Sequence, residues 1–308
     1  MATHTQTHEP NPKAADATFG IEIECLLPRG SVRVGGYHAG IELGGRFPAG
    51  WNAQRDGSLR TTLRGYEGVE IVSPVLRGRD GLEQIRQVMT LLREMNGRVN
   101  GSTGLHVHVG ATSVAGHDFD EVADWVRRLI NATAQHEKAF YGAAGTRARE
   151  NGSYCRSIKR GWGEKKMRLK QKKMKAQDLR NEAASVSRYH SLNIEPLFSR
   201  KRTIEFRCFS GTLNPLKACA YVQMALAVAT LALERDTQFD APTTTYADTE
   251  TATGAMKRFF YLVGWTRGRK DYAKPVCLAE GWVDDMQALK AAKRELMRLA
   301  KKYDKQTA

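Results

Sequence analysis

Gly20-Ile21-Glu22-Ile23-Glu24 alternates apolar and acidic side chains with a period of two. Residues two apart in a strand share a face, so Glu22 and Glu24 point one way and Ile21 and Ile23 the other. The spacing returns three times: Glu70 between Val69 and Ile71, His106 and His108 interleaved with Leu105 and Val107, and Glu205 and Arg207 interleaved with Ile204 and Phe206. Each stretch is predicted to be a strand with one chemical and one apolar face. If the four share a sheet, four carboxylates, two imidazoles and one guanidinium meet.

An antiparallel sheet with one wet face alternates in the same way. In a chain with 48 Lys+Arg against 33 Asp+Glu, however, a solvated face should carry Lys and Thr, and these strand centres carry Glu and His. Clustered carboxylates repel one another unless a cation sits between them, so the pattern points to a divalent metal site.

Composition sets the outer limits. A length of 308 residues fits two domains or one large curved sheet backed by helices, and a 41% apolar share suffices for a sizeable core. The net charge of +15 and a pI near 9.7 suit an anionic partner without choosing among nucleic acid, acidic peptide and nucleotide. Five scattered cysteines (Cys25, Cys155, Cys208, Cys219, Cys277), with no Cys-x-x-Cys pair, argue against a disulfide framework or structural zinc and for a reducing, cytoplasmic setting. Residues 1–17 read as a disordered polar tail without the regions of a signal peptide. The run Ala218 to Leu233, interrupted by Gln223, is shorter than the ~20 residues of a membrane span and reads as a core helix.

Between the strands, the Gly-rich, basic residues 28–50 suggest a hairpin or flap beside the first strand. Asp80 is placed to cap a helix over about 81–96 and Asp118 another over about 119–140, while Pro215 opens a third and Trp282 to Tyr303 forms an amphipathic fourth. A basic stretch over 156–175, with Lys165, Lys166, Lys172 and Lys173, is either a solvated helix or a docking surface for an acidic macromolecule. Nucleic acid stays open as that partner, although no nucleic-acid-binding motif is present. No Walker A loop, dinucleotide-binding glycine pattern or His-Glu-x-x-His occurs, so any ATP site here is built differently, and sheet carboxylates with Mg2+ and an arginine can build one.

Six motifs then fall in a recognisable order: Gly20 to Glu24, Asp56-Gly57-Ser58, Glu70-Ile71-Val72-Ser73-Pro74, Gly104 to Val109, Arg188-Tyr189 through Leu192-Asn193, and Thr203 to Arg207 running on to Gly211-Thr212-Leu213-Asn214. Together, over about residues 19–235, they resemble the amidoligase family, which is related to glutamine synthetase and glutamate-cysteine ligase. The resemblance implies an α+β fold, a curved antiparallel sheet with helices on its convex face and the active site on the concave one. It implies a catalytic domain over 18–235 with a basic insert at about 156–180, and leaves 236–308 as a helical extension.

The resemblance also implies the chemistry: ATP-dependent ligation with Mg2+, in which a carboxylate is phosphorylated and an amine displaces phosphate to leave an amide. By motif, Glu22, Glu24, Glu70, His108 and Glu205 match metal ligands, His106 a nucleotide-binding histidine and Arg207 the arginine that stabilises the phosphoryl group. Asp56, with Glu70, is placed for catalysis, and Arg149, Asn151, Tyr154, Arg188 and Asn193 for substrate binding. The substrate expected is a peptide, protein or other acid. Two alternatives stand beside this reading: a basic binding protein on a degenerate ligase fold, and a metal-dependent hydrolase that works without ATP.

Overall fold

A computed structural model describes residues 17–158, 173–184, 186–234, 250–266 and 286–306. Eight strands form one sheet: β1 (Thr18–Pro28), β2 (Ile41–Glu42), β3 (Asn52–Gln54), β4 (Tyr66–Val72), β5 (Leu76–Arg77), β6 (Gly104–Gly110), β7 (Leu192–Asn193) and β8 (Thr203–Ser210). Their order is β2-β3-β4-β1-β6-β8-β7, with β5 pairing the start of β1, and every pairing between these strands is antiparallel. The four strands anticipated from the two-residue period thus lie side by side as β4-β1-β6-β8.

Ile21, Ile23, Val69, Ile71, Leu105, Val107, Ile204 and Phe206 are all buried on the helix side of the sheet. The helices are α1 (Gly78–Glu94), α2 (Ala111–Ala115), α3 (Phe119–Ala144), α4 (Ala176–Ala183), α5 (Pro215–Glu234), α6 (Ala252–Leu262) and α7 (Met286–Asp304), with a 3-10 turn at Glu195–Phe198. Helices α3 and α5 pack on β8 and β6. Phe140 of α3 stacks on Phe206 at 5.6 Å, Phe209 stacks on Tyr221 of α5 at 4.2 Å, and the Trp125 indole N–H donates to Ala229 O at 2.9 Å. Each such buried aromatic contributes about 1.5–3 kcal/mol through removal of apolar surface from water.

Local chemistry sets the helix ends. The Asp118 carboxylate accepts from the Asp120 N–H at 2.8 Å, and α3 stops at Gly145, whose φ of 70° suits the left-handed cap. Pro215 opens α5. Asp80, anticipated as the cap of α1, instead lies inside the first turn. The chain passes straight from β5 into the helix, so α1 starts at Gly78, with Arg77 at the cap position. The apolar stretch Pro215–Leu233 is long enough to cross a membrane but is mostly buried in the core. Helices α6 and α7 pack on α3 and on each other, with Phe259, Leu296 and Tyr303 in the same hydrophobic cluster as the sheet. Residues 1–16 of the anticipated tail, with Lys165, Lys166 and Lys172, lie outside the described residues; Lys173 is described and exposed.

Candidate active site

Strand register arranges the polar face into rows. Glu24 sits opposite Glu70, which sits opposite Gln54 on β3. Glu22 sits opposite His106 on β6, and His108 opposite Glu205, which in turn faces Asn193 on β7. The pairing of β6 with β8 shifts between Leu105, opposite Phe209, and Val107, opposite Phe206. Two residues of β8, Arg207 and Cys208, therefore oppose the single His106. This bulge returns Phe209 to the core while leaving Arg207 at the acidic cluster.

The side chains converge tightly. His106 Nδ1 is 3.3 Å from Glu22 Oε2 and 3.2 Å from Glu205 Oε1, and its Nε2 is 3.5 Å from Glu24 Oε1. His108 Nδ1 meets Thr203 Oγ1 at 2.9 Å, which fixes the ring; its Nε2 lies 3.1 Å from Glu22 Oε1 without the alignment of a hydrogen bond. Arg207 Nη1 donates to Glu205 Oε1 at 2.5 Å and Asn193 Nδ2 to Glu205 Oε2 at 2.7 Å. Glu24 accepts from the Gly104 N–H and Glu70 from the Gln54 amide. Glu22, Glu24, Glu70, His106, His108 and Glu205 are all buried.

Electrostatics divide these carboxylates. Burial raises the Glu70 carboxyl, and the neighbouring Glu22, Glu24 and Asp56 push it further, up to about 8 despite the Gln54 hydrogen bond. Burial works against ionisation of Glu22 too, yet the His108 and His106 imidazoles outweigh it and hold that carboxyl well below the usual range. Glu205 is likewise lowered against its burial by Arg207 and both histidines. His108 is raised, Glu22 overcoming the desolvation of the ring.

Among the described residues three sets of side chains could each hold a cation: Glu22 with Glu70 and His106, Glu22 with His108 and Glu205, and Glu24 with Asp56 and Glu70. Within each set the ligand atoms lie within 4.8 Å of one another. The donors are mainly hard carboxylate oxygens, one carboxylate is driven toward neutrality by its neighbours, and the His108 Nε2, beside Glu22, has no aligned hydrogen-bond partner among the described residues, which together fit a divalent ion.

Three cavities open on this cluster. The first, about 260 Å³, lies over Glu22, Asp56, Glu70, His108, Glu205 and Arg207. Of the anticipated flap, residues 28–50, Tyr37 and His38 stand in its wall. The second, about 460 Å³, shares His106 and Arg207 with the first and adds Glu24, Arg60, Arg149 and Tyr154. The third, about 570 Å³, shares Glu22, His108 and Lys201, and has an apolar side made by Val72, Pro74 and Val75.

Of the residues anticipated for substrate binding, Arg188 and Asn193 line the first cavity and Arg149 and Tyr154 the second. Asn151 is exposed and lines none of the three, although Arg149 and Gly152 on either side of it line the second. Arg149 Nη2 donates to Arg207 O at 2.6 Å, and a Cβ at Gly104 would lie 2.8 Å from that same nitrogen, so glycine is what lets the guanidinium enter. Lys201 was not anticipated: its Nζ is 2.9 Å from Glu22 Oε1 although the side chain is 54% exposed. Arg200-Lys201-Arg202 reads as a solvated basic turn, and no local pattern marks its middle residue. Gln54 escaped for a related reason, since its three-residue strand is too short to show a period.

No curated protein matches the chain. The sequence profile of the family described as "Putative amidoligase enzyme" matches residues 48–229, more than half of the chain, and ends within α5. The match takes in Asp56, Glu70, His106, His108, Arg149, Glu205 and Arg207, seven of the side chains gathered around the three cavities, and the chain is a member of the amidoligase family of carbon-nitrogen ligases.

Proposed function

We propose that the protein is an ATP-dependent carboxylate-amine ligase with a glutamine synthetase-like catalytic fold, its acidic face being the concave one. The observation that carries this reading is the position of His106 and Arg207, at the junction of two cavities and beside three metal-competent clusters. A transferring phosphoryl group needs a site shared by donor and acceptor, with positive charge where negative charge develops.

The third cavity suits the nucleotide: its apolar side can take a base, and Lys201 stands where it joins the acidic cluster. The second suits the acid, since Arg60, Arg149 and Arg207 outnumber its one carboxylate, Glu24, as a peptide or other substrate with more than one carboxylate requires. Mg2+ held by Glu22, Glu24, Glu70, Glu205 and His108 would neutralise the phosphates and bring them to the cluster. Arg207 faces both cavities and steadies the group in flight. The substrate carboxylate oxygen bonds to the terminal phosphorus as the bond to ADP breaks; the amine then bonds to the acyl carbon, and phosphate leaves with the oxygen the acid supplied. Asp56 and Glu70, both on the first cavity, are the carboxylates placed to take the amine proton. Tyr37 and His38 restrict water there, which an acyl phosphate requires.

Hydroxylamine, a small general amine, tests this with ATP, Mg2+ and a panel of acids and acidic peptides. The expected result is hydroxamate formation, with 18O passing from labelled acid to phosphate. Substrate cleavage that needs metal but no ATP would mark the hydrolase alternative, and nucleotide-free binding of acidic polymers alone would mark the binding protein.

A further inference from the structure

Arg149 lies in a stretch, residues 145–157, that has no helix or strand, yet it enters the second cavity with its guanidinium anchored on Arg207 O and its buried Nε free of any hydrogen-bond partner among the described residues. A long, rotamer-rich side chain projecting from irregular backbone positions a substrate only if that backbone is held. What holds it comes from the far end of the chain. The Tyr303 hydroxyl donates to Glu150 and accepts from Lys138 Nζ at 3.2 Å. The Gln306 side chain accepts from the Arg147 N–H at 3.0 Å and donates to Gly145 O at 3.2 Å. The Arg147 guanidinium lies 5.0 Å above the fully buried Tyr303 ring. Residues on both sides of Arg149 are thus tied to two side chains more than 150 positions away, one in the last turn of α7 and one just past it, both beyond the end of the family match.

We propose that Tyr303 and Gln306 are positioning residues of the active site: they hold the 145–150 backbone so that Arg149 reaches the acid-binding cavity, which makes the end of α7 and the turn after it part of the substrate site. This rests on the reading of the second cavity as the place of the carboxylic acid. Asp304, between them, does something else. It accepts from the Ala252 and Thr253 N–H groups at 2.7 and 2.9 Å, capping α6, and so serves as a control within the same turn.

The test uses the full chain with Tyr303→Phe, Gln306→Ala and Asp304→Asn. Tyr303→Phe keeps the buried ring and removes only the hydroxyl. In protein without substrate, amide exchange over 145–156 should quicken about tenfold in the first two variants and stay at the parent rate in Asp304→Asn. With glutarate as the acid and hydroxylamine as the amine, KM for glutarate should rise about tenfold in Tyr303→Phe, with KM for ATP and kcat at saturating acid unchanged. Parent-like exchange over 145–156 in Tyr303→Phe, or an equal KM shift in Asp304→Asn, would overturn the proposal. Exchange is read without any substrate, so failure of the ligase reading shows separately, as a parent enzyme that forms no hydroxamate with any acid.

Discussion

The two faces of strands β4, β1, β6 and β8 are built from neighbouring residues and obey opposite rules. On the helix side Ile23, Val69, Val107 and Phe206 fill space, and their identity matters through volume. On the other side Glu22, Glu24, Glu70 and Glu205 crowd like charges out of water, which costs stability unless a cation compensates. One face stabilises the fold, and the other is held in place by it.

The widest separation of the two should come from Glu24→Gln against Phe206→Ala. Glutamine keeps an acceptor for the Gly104 N–H and deletes a charge, so Mg-ATP turnover should fall on the order of 10³-fold while the midpoint of metal-free unfolding holds or rises. Phe206→Ala should cost about 3–5 kcal/mol in urea titration, and still bind metal while folded. Near-parental turnover in Glu24→Gln would remove it from the metal site. A sharper cut lies within the chemical face: Arg207→Lys keeps the charge but loses the planar fork that joins Glu205 to the Tyr154 carbonyl, so nucleotide binding should persist while turnover drops ~100-fold. Equal rates in variant and parent would take Arg207 out of the reaction.

Acidity also distinguishes the faces. Glu70 is raised from 4.5 to about 8, so between those values the folded protein holds a proton that the unfolded chain has lost, and stability falls as pH rises through that window. On the core side, burial and then Arg258 push His136 down from 6.5 to about 3. There the unfolded chain takes a proton the folded protein refuses, and stability falls as pH drops from 6.5 toward 3. Each slope approaches about 1.4 kcal/mol per pH unit at most. Lowered Glu22 and Glu205 add to the acid limb and raised His108 to the alkaline one. Thermal unfolding in chelator should therefore peak in mildly acidic buffer; Glu70→Gln should flatten the alkaline limb alone, and an unaltered limb would discount the charge crowding. The smallest effect is a fraction of one proton: Mg2+ binding near pH 7 should release it from Glu70, seen as a dependence of calorimetric heat on buffer ionisation enthalpy.

What the sequence showed follows the same division. The four central strands were legible because a period of two survives in Ile21 to Glu24 or Leu105 to His108 whatever lies nearby. Asp118 and Pro215 marked helix starts through chemistry local to the chain. Lys201, Gln54 and Tyr303 acquire their roles only from partners far along the chain, at separations no local pattern spans. Asn151 shows the converse, since adjacency to Arg149 in sequence did not bring it into the cavity. The β8 bulge was hidden because Ile204 to Phe209 reads as ordinary alternation until Cys208, and only the pairing with β6 reveals the extra residue.

The sheet finishes on β2 and β7, each only two residues long. A broad antiparallel sheet is otherwise a template, its outermost strand offering a row of unused N–H and C=O groups to a strand from another molecule. Among the described residues the outermost strand at either margin offers a row of only two residues, a short foothold for a strand from another molecule. A wide, charged sheet is in this way less able to template a strand from a second molecule.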